Sequence, residues 1–410
     1  MPTSPHPYPD EACVEVAPFV RQIEGDQATI GLPDAAIFLT LPVAAVEILD
    51  DLASGHTVGA ARQRHIERHG EEAHVVDLLQ QLGRRGFVRP AGAAAVAEGA
   101  AVPAARRSYH LEWVKPEWAA LAFGRFALGG YLALILAAAA AAVWRPQTIP
   151  ARSALIETEH IAAFALFVSA LAIFTTLLHE VGHVLAARAR GVACRLGLGN
   201  RLWILVAETD MTGVWALPRR QRLLPILAGP LVDVVSMAGV LLVLSAHDVG
   251  WLTLSGLMHR ALQAAWWVYL LRLLWQCYFF LRTDFYYAAT VLTGCANLMG
   301  DTEDYLRSRL AAWRKRGPVI DQSHLPEHER RAVRAYAWVW LAGRGVLFGV
   351  LFLVQLPLLL VYAPAIWAQL ADAAAGSPRG TFDSVALAAL SLTVTATGIV
   401  MWWRELRSAR

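Results

Sequence analysis

Long apolar stretches dominate the chain from about residue 117 onward. Several approach 20 residues, the length that a helix rising 1.5 Å per residue needs to cross a hydrocarbon core of ~30 Å. The pattern predicts a mainly α, polytopic membrane domain over residues 117–410. Its expected transmembrane helices number about six, and they cover Trp118–Trp144, Ile161–Leu178 (running on into the next motif), Leu223–Ser245, Leu262–Leu281, Trp338–Tyr362 and Val385–Trp403.

Residues 15–92 show a different pattern, which is typical of a small soluble domain. Three short strand-like runs come first and are separated by turn signals. Three amphipathic helical patterns and a last strand-like run follow. This order predicts an α+β domain that is winged-helix-like. The predicted strands are Phe19–Ile23, Ala28–Gly31, Ala36–Leu41 and Phe87–Pro90, and the predicted helices are Pro42–Ser54, Thr57–His69 and Glu72–Arg85.

Two further segments complete the predicted organisation. Residues 1–14 form an N-terminal tail without the basic start and apolar core of a signal peptide, so the N-terminus is expected to stay in the cytosol. Residues 93–116 are rich in Ala, Gly and Pro and then basic, which is typical of a linker; a poly-Ala helix is the alternative.

The composition excludes several classes of protein. Of the 410 residues, 56% are hydrophobic and only 17% are charged, with a mean hydropathy of +0.42. These values exclude a purely soluble enzyme, a disordered chain and a small disulfide scaffold. The net charge of +3 and the lack of a basic stripe on any N-terminal helix argue against a nucleic-acid partner.

Arginine-rich loops predict the orientation in the membrane. Loops 185–222 and 282–334 carry many arginines, whereas 145–160 and 363–384 carry few. Under the positive-inside rule the arginine-rich loops and both termini are cytosolic. We therefore expect a multi-pass protein of the cell (cytoplasmic) membrane, with the lipid bilayer as one partner.

A metal-binding motif lies at the end of the second predicted span. The sequence HEVGH places His179 and His183 four residues apart, so that on a helix both imidazoles face one side and can bind one Zn²⁺. Glu180 is placed to act as a general base toward water. Polar helix-end residues facing water are the alternative. Three aspartates are candidates for a third ligand: Asp284, Asp233 and Asp210.

The membrane half resembles the site-2-protease (M50) group of intramembrane zinc metallopeptidases, and within it the peptide zinc metalloproteases. The resemblance covers about residues 171–300 and rests on HEVGHVLAARARG, ETDMTGVWALPRRQRLLPILAGP and FLRTDFYYAATVLTGCANL. It implies that His179, His183 and Asp284 bind zinc and that Glu180 is the catalytic base.

Three positions depart from the family pattern. Tyr278-Phe279 replace the Asn-Pro that usually precedes the aspartate, and Phe285 replaces the glycine that follows it. Asp233 stands where an asparagine usually follows Gly-Pro. We therefore take Asp233, with Gly229 and Pro230, as candidate substrate-binding residues, and keep ligation of the metal as the alternative for Asp233.

Residues 15–91 resemble the PqqD family of peptide-binding modules, through FLTLPVAAVEILDDLASGHTVGAARQRH and VVDLLQQLGRRGFV. The resemblance implies that this domain binds the leader of a ribosomally made precursor peptide. An exposed strand edge accepts an extended peptide through main-chain hydrogen bonds. Residues 193–217 show a hairpin-like pattern that, by the M50 resemblance, lies near the site.

Together these features predict a zinc metalloendopeptidase that removes the leader of a ribosomally synthesised precursor peptide in or near the membrane. The alternative is a non-catalytic peptide receptor, immunity or export component with a vestigial metal site. Cleavage of a membrane-tethered regulator is a third possibility. The substrate, its cleavage site and the oligomeric state do not follow from the sequence.

Overall fold

The computed structural model describes residues 8–32, 37–71, 74–91, 113–201, 204–295, 297–315, 317, 320–323 and 325–375, with scattered positions from 385 to 403. Residues 1–7 of the predicted tail, most of the predicted linker and about half of the predicted sixth span lie outside these residues. Residues 8–14 were predicted as part of the tail but belong to the first unit, where Tyr8 and Val14 are buried in its core. The described chain is mainly helical and divides into two compact units.

The first unit contains the described residues up to 91 together with 192–194 and 211–222. Strands β2, β3 and β4 form an antiparallel sheet in that order, and β1 pairs antiparallel with β5. The elements are β1 (Val14–Val16), β2 (Val20–Glu24), β3 (Gln27–Leu32), β4 (Ile37–Pro42), α1 (Val43–Ala53), α2 (Val58–His69), α3 (Val75–Arg84) and β5 (Val88–Pro90).

Local sequence signals set the helix ends of this unit. The Thr57 side chain accepts a hydrogen bond from the Ala60 amide at 3.3 Å, which caps the start of α2. Gly70 ends α2 in the left-handed conformation, with φ of 73°, which a glycine adopts without strain. Apolar side chains of the sheet and of all three helices form one buried core, including Ile30, Leu49, Val58, Leu79 and Phe87.

The second unit contains the remaining helices and a hairpin. Strands β6 and β7 pair antiparallel, and they occupy the region in which the hairpin was predicted. The elements are α4 (Pro116–Ala122), α5 (Arg125–Trp144), α6 (Ile161–Arg188), β6 (Arg195–Arg201), β7 (Ile204–Asp210), most of α7 (Arg219–Val249), α8 (Gly256–Gln276), α9 (Asp284–Thr293), α10 (Leu298–Arg314), α11 (Glu327–Val350) and α12 (Leu356–Ala374).

Four helical segments of the described chain are long and apolar enough to cross a membrane. In their most apolar windows only 6% of the residues are buried in the first segment and 39% in the third, which leaves side chains available to contact lipid. They are Pro116–Trp144, Ile161–Arg188, Arg219–Val249 and Glu327–Asp372, and they match the first, second, third and fifth predicted spans.

The predicted fourth span is not among these four segments. Helix α8 covers most of it but ends at Gln276, and the apolar residues 277–281 continue as turns rather than as helix. His259, Arg260 and Arg272 lower the hydropathy of α8. Six spans are therefore not established, and the winged-helix identity of the first unit remains a prediction.

Candidate metal centre

The C-terminal part of α6 presents the three residues of the HEVGH motif. Helix α6 is a single 28-residue helix, so the motif continues directly from a membrane-length apolar segment. His179 and His183 lie one turn apart, as the i, i+4 spacing predicts. Both imidazoles and the Glu180 side chain are buried, with at most 6% of each residue exposed. Burying polar side chains costs free energy unless they are hydrogen-bonded, paired with a charge or bound to a metal.

Asp284 completes a group that could hold a metal ion. Its Oδ2 lies 3.2 Å from Nε2 of His179 and 3.4 Å from Nε2 of His183. The two Nε2 atoms are 3.1 Å apart. Three ligand atoms about 2.0–2.1 Å from a tetrahedral Zn²⁺ would lie about 3.3 Å from one another. The three donor atoms therefore have the spacing that one metal ion of this size requires, and they form the metal-compatible group found among the described residues.

The other ring nitrogen of each histidine has its own acceptor. Nδ1 of His179 lies 2.7 Å from Oδ2 of Asp233, and Nδ1 of His183 lies 2.8 Å from the carbonyl oxygen of Pro225. Because a carbonyl oxygen and a carboxylate only accept, each Nδ1 donates its proton. In the neutral ring each Nε2 then offers a lone pair to a metal, which is the arrangement that outer partners of metal-binding histidines produce.

Helix α7 approaches these imidazoles closely. A Cβ atom placed on Gly229 would clash with the Nε2 atoms of both histidines. On α6, a Cβ on Gly182 would lie 3.1 Å from the carbonyl oxygen of Ala228. Small residues therefore allow the two helices to approach. Pro230 follows within the same helix and lacks the N–H that would bond to the carbonyl of Ile226.

Gln276, the last residue of α8, holds Asp284 through both ends of its amide. Its Nε2 donates to Oδ2 of Asp284 at 2.8 Å, and its Oε1 accepts from the Asp284 amide at 3.0 Å. The Thr283 hydroxyl donates to the Gln276 carbonyl at 2.8 Å, which closes the turn between α8 and α9. These bonds fix the carboxylate although the chain has Tyr278-Phe279 and Phe285 where the resembling family has Asn-Pro and Gly.

The surroundings of Asp284 favour its charged form. Burial by itself raises the pKa of this carboxyl, but the protonated forms of His183 and His179 outweigh that effect through charge and hydrogen bonding. The pKa of Asp284 therefore lies well below its usual range, and the side chain is a carboxylate at neutral pH. A carboxylate is the form that binds a metal cation.

The hairpin contributes a contact to Glu180. The Thr209 hydroxyl, near the end of β7, donates to Oε2 of Glu180 at 2.7 Å. The bond fixes the direction of the Glu180 side chain through Oε2. It does not involve the other carboxylate oxygen, Oε1. A buried carboxylate beside the histidines is suited to accept a proton from a water molecule.

The structure separates the three aspartate candidates. Asp284 belongs to the metal-compatible group, and Asp233 contacts His179 on the opposite edge of the ring. Asp210 is the last residue of β7 and is not a member of the group. Gly229 lies on α7 against the imidazoles, and Pro230 follows it in the same helix.

Sequence reasoning did not identify Arg272, Gln276 or Thr209. Arg272 and Gln276 are polar residues within an otherwise apolar predicted span, and this signal alone would have marked them as candidates. Thr209 gave no such signal, because a threonine in a strand pattern is ordinary.

Comparisons with protein families, with curated proteins and with solved structures returned no match for this chain. What is established about the described chain therefore comes from its structure. It is a mainly helical protein with four membrane-length apolar segments and a buried His-His-Asp group that could hold a metal ion.

Proposed function

We propose that this protein is a membrane-embedded zinc endopeptidase that cleaves a ribosomally synthesised precursor peptide. The observation that carries the proposal is the convergence of three donor atoms, 3.1–3.4 Å apart, beside the buried Glu180. Two nitrogens and one carboxylate oxygen are a donor set that catalytic zinc sites use, with one position left for water or substrate. The HEVGH motif and the resemblance to site-2 proteases point to the same chemistry.

In this proposal His179, His183 and Asp284 hold the zinc ion. Zinc held there would supply Lewis acidity, which would polarise a scissile carbonyl and make a water molecule more acidic. Glu180 accepts the proton of the attacking water and later transfers it to the leaving amine. The Thr209 hydroxyl orients Glu180 for both transfers, through its 2.7 Å bond to Oε2.

The first unit would hold the leader of the precursor peptide. Strand β2 is the outer strand of its sheet, so one of its edges pairs with no other strand in the described part of the chain. The exposed Val20 and Ile23 lie on this strand. A cavity of about 600 Å³ in the same unit is lined by Gln22 and Glu24 of β2 and by Arg219 and Arg220. An open strand edge next to a cavity suits an extended peptide.

Membrane placement follows from the four apolar segments and the distribution of arginines. We propose a multi-pass protein of the cell membrane, with both termini and the arginine-rich loops on the cytosolic side. The HEVGH motif would then lie near the cytosolic end of its span. A transmembrane substrate must unwind before cleavage, because its backbone is otherwise fully hydrogen-bonded.

The test combines zinc content with cleavage. Full-length protein, purified in detergent and reconstituted in liposomes, is incubated with a library of internally quenched peptides that includes single-span sequences. We expect about one zinc per chain in wild type and in Glu180→Gln, but peptide cleavage only in wild type. Turnover by Glu180→Gln would refute the assignment of the base. Zinc binding without any cleavage in wild type would favour the receptor alternative.

The leader-binding part has its own test. Replacing both Val20 and Ile23 by lysine puts two like charges at exposed positions of β2 and leaves the residues of the metal centre unchanged. We expect a higher KM for an identified precursor peptide and an unchanged kcat, because only binding outside the reacting bond is weakened. An unchanged KM would show that this strand edge does not hold the leader.

A further inference from the structure

Asp233 is a buried carboxylate with two different partners. Its Oδ2 lies 2.7 Å from Nδ1 of His179, and its Oδ1 accepts a hydrogen bond from Nη1 of Arg272 at 3.1 Å. Asp233 is completely buried, and only 14% of the Arg272 side chain is exposed. The three residues come from α7, α6 and α8, so the contact joins three helices around one imidazole.

The second nitrogen of the Arg272 fork contacts α6. Nη2 lies 2.5 Å from the Thr175 hydroxyl oxygen, 2.9 Å from that of Thr176 and 3.1 Å from the carbonyl oxygen of Ala172. These acceptors lie one to two turns before His179 on the same helix. A guanidinium can direct two nitrogens at two sets of acceptors in a fixed plane, which the single ammonium of a lysine cannot do.

We infer that Arg272 is a positioning residue of the candidate metal centre: it neutralises the Asp233 carboxylate and aims it at Nδ1 of His179, so that Nε2 of His179 faces the metal. The inference rests on the proposed metal-dependent function. A buried carboxylate without its cation is destabilised and would turn away or draw in water. His179 would then lose the acceptor that fixes its ring orientation and tautomer.

Arg272 could hold the helices together only through its hydrogen bonds, or its charge could balance that of Asp233. Substitutions of the two residues distinguish these roles. The amide introduced by Asp233→Asn can still accept from Nδ1 of His179, but it leaves Arg272 as an unpaired buried cation. Arg272→Met removes the cation and leaves an unpaired buried anion. Combining the two substitutions removes both charges, so a charge partner predicts recovery. If Arg272 acts only through its hydrogen bonds, the double variant should bind Zn²⁺ at least as weakly as either single variant.

The experiment measures metal binding by the full-length protein in detergent. Zn²⁺ affinity is determined by competition with a chromophoric chelator, and the visible spectrum of bound Co²⁺ reports the ligand geometry. We expect each single variant to lose about tenfold or more in Zn²⁺ affinity and to shift the Co²⁺ spectrum. The double variant should return to within about threefold of wild type, with a wild-type-like spectrum.

Arg260→Met serves as the matched control. Arg260 lies on the same helix, α8, and forms an ion pair with Glu157 instead of with the metal centre. Its replacement is expected to leave Zn²⁺ affinity unchanged. If Arg272→Met does not yield folded protein, Arg272→Gln decides the question, because it keeps a hydrogen-bond donor and removes the charge. Lower affinity with a shifted Co²⁺ spectrum supports the inference, and wild-type values overturn it.

Other outcomes are equally decisive. Wild-type affinity in Arg272→Met, or additive losses in the double variant, would overturn the inference while leaving the metal centre intact. Absence of Zn²⁺ binding in wild type would remove both the proposed function and this inference. Zn²⁺ binding with the expected recovery, but without peptide cleavage, would overturn the protease and retain Arg272 as a positioning residue.

Discussion

The two hydrogen bonds between the Gln276 side chain and Asp284, here called the clamp, offer the sharpest test of how the candidate metal ligands are held in place. Gln276→Met keeps the length and apolar volume of the side chain, but removes the bonds to Oδ2 and to the amide of Asp284 at 2.8 and 3.0 Å. Gln276 is buried, with 5% exposed, so water does not readily replace either bond. Asp284 would lose the partner that sets its orientation toward the two histidines.

The expected loss follows from the type of bond removed. Outer partners of metal ligands typically change metal affinity by about 10–100-fold. This range corresponds to about 1.4–2.7 kcal/mol. It matches the ~1.5–3 kcal/mol expected for one hydrogen bond to a charged group. We therefore expect Gln276→Met to weaken Zn²⁺ binding by about 10–100-fold.

The assay is chelator competition on full-length protein, with two comparison variants. Gln276→Glu keeps an acceptor for the Asp284 amide but places a second carboxylate against Oδ2, so we expect a larger loss than for Gln276→Met. Gln263→Met changes a half-buried glutamine on the same helix outside the site and should leave the affinity unchanged. Wild-type affinity in Gln276→Met, or a milder effect of the glutamate, would refute the proposed clamp.

Three further predictions address the helix contact, the candidate base and the first unit. Gly229→Ala should abolish stoichiometric zinc binding, because the added methyl group would clash with the Nε2 atoms of both histidines. Such overpacking costs about 1–3 kcal/mol. Metal analysis of the purified protein checks this. Thr209→Val should lower kcat about tenfold at unchanged zinc content, since losing a bond to a charged Glu180 costs at least about 1.5 kcal/mol; steady-state kinetics checks this. In the first unit, burial raises the pKa of the Asp51 carboxyl, but Arg68 and Arg64 together lower it more. Wild type should therefore be more stable than Asp51→Asn at pH 7 and lose this advantage as the pH falls from ~4 through the lowered pKa. Thermal melts at several pH values check this.

Controls for these predictions come from the same elements. Gly239→Ala is the control for Gly229→Ala. Gly239 lies on the same helix, α7, and a Cβ added there meets no atom within 4 Å, so this variant should retain zinc. Thr209→Ser restores the hydroxyl and should restore kcat. Full zinc in Gly229→Ala, an unchanged kcat in Thr209→Val, or a stability difference for Asp51→Asn that does not shrink as the pH falls below ~4 would contradict the respective argument.

Local signals predicted most elements of the first unit to within a few residues. Alternating and helical apolar patterns, the Thr57 cap and Gly70 act over short distances, so they can be read from neighbouring positions. Strand β1 was missed, because three residues carry too little pattern and its pairing with β5 joins distant parts of the chain. The helix predicted at Leu262–Leu281 extends beyond the end of α8, because apolar residues after Gln276 continue the hydropathy without continuing the helix, and α8 is not among the membrane-length apolar segments.

The sequence by itself determined the HEVGH geometry, since two residues four apart on a helix must share a face. It also identified the four apolar segments that the structure describes as helices long enough to cross a membrane, although it predicted six. Only the tertiary structure decided which aspartate joins the histidines, because Asp284 and Asp233 are both acidic residues next to apolar helices. The distinction depends on which ring nitrogen each one contacts. The roles of Arg272 and Gln276 depend on contacts with residues that belong to other helices or begin the next one, and no local pattern encodes such contacts.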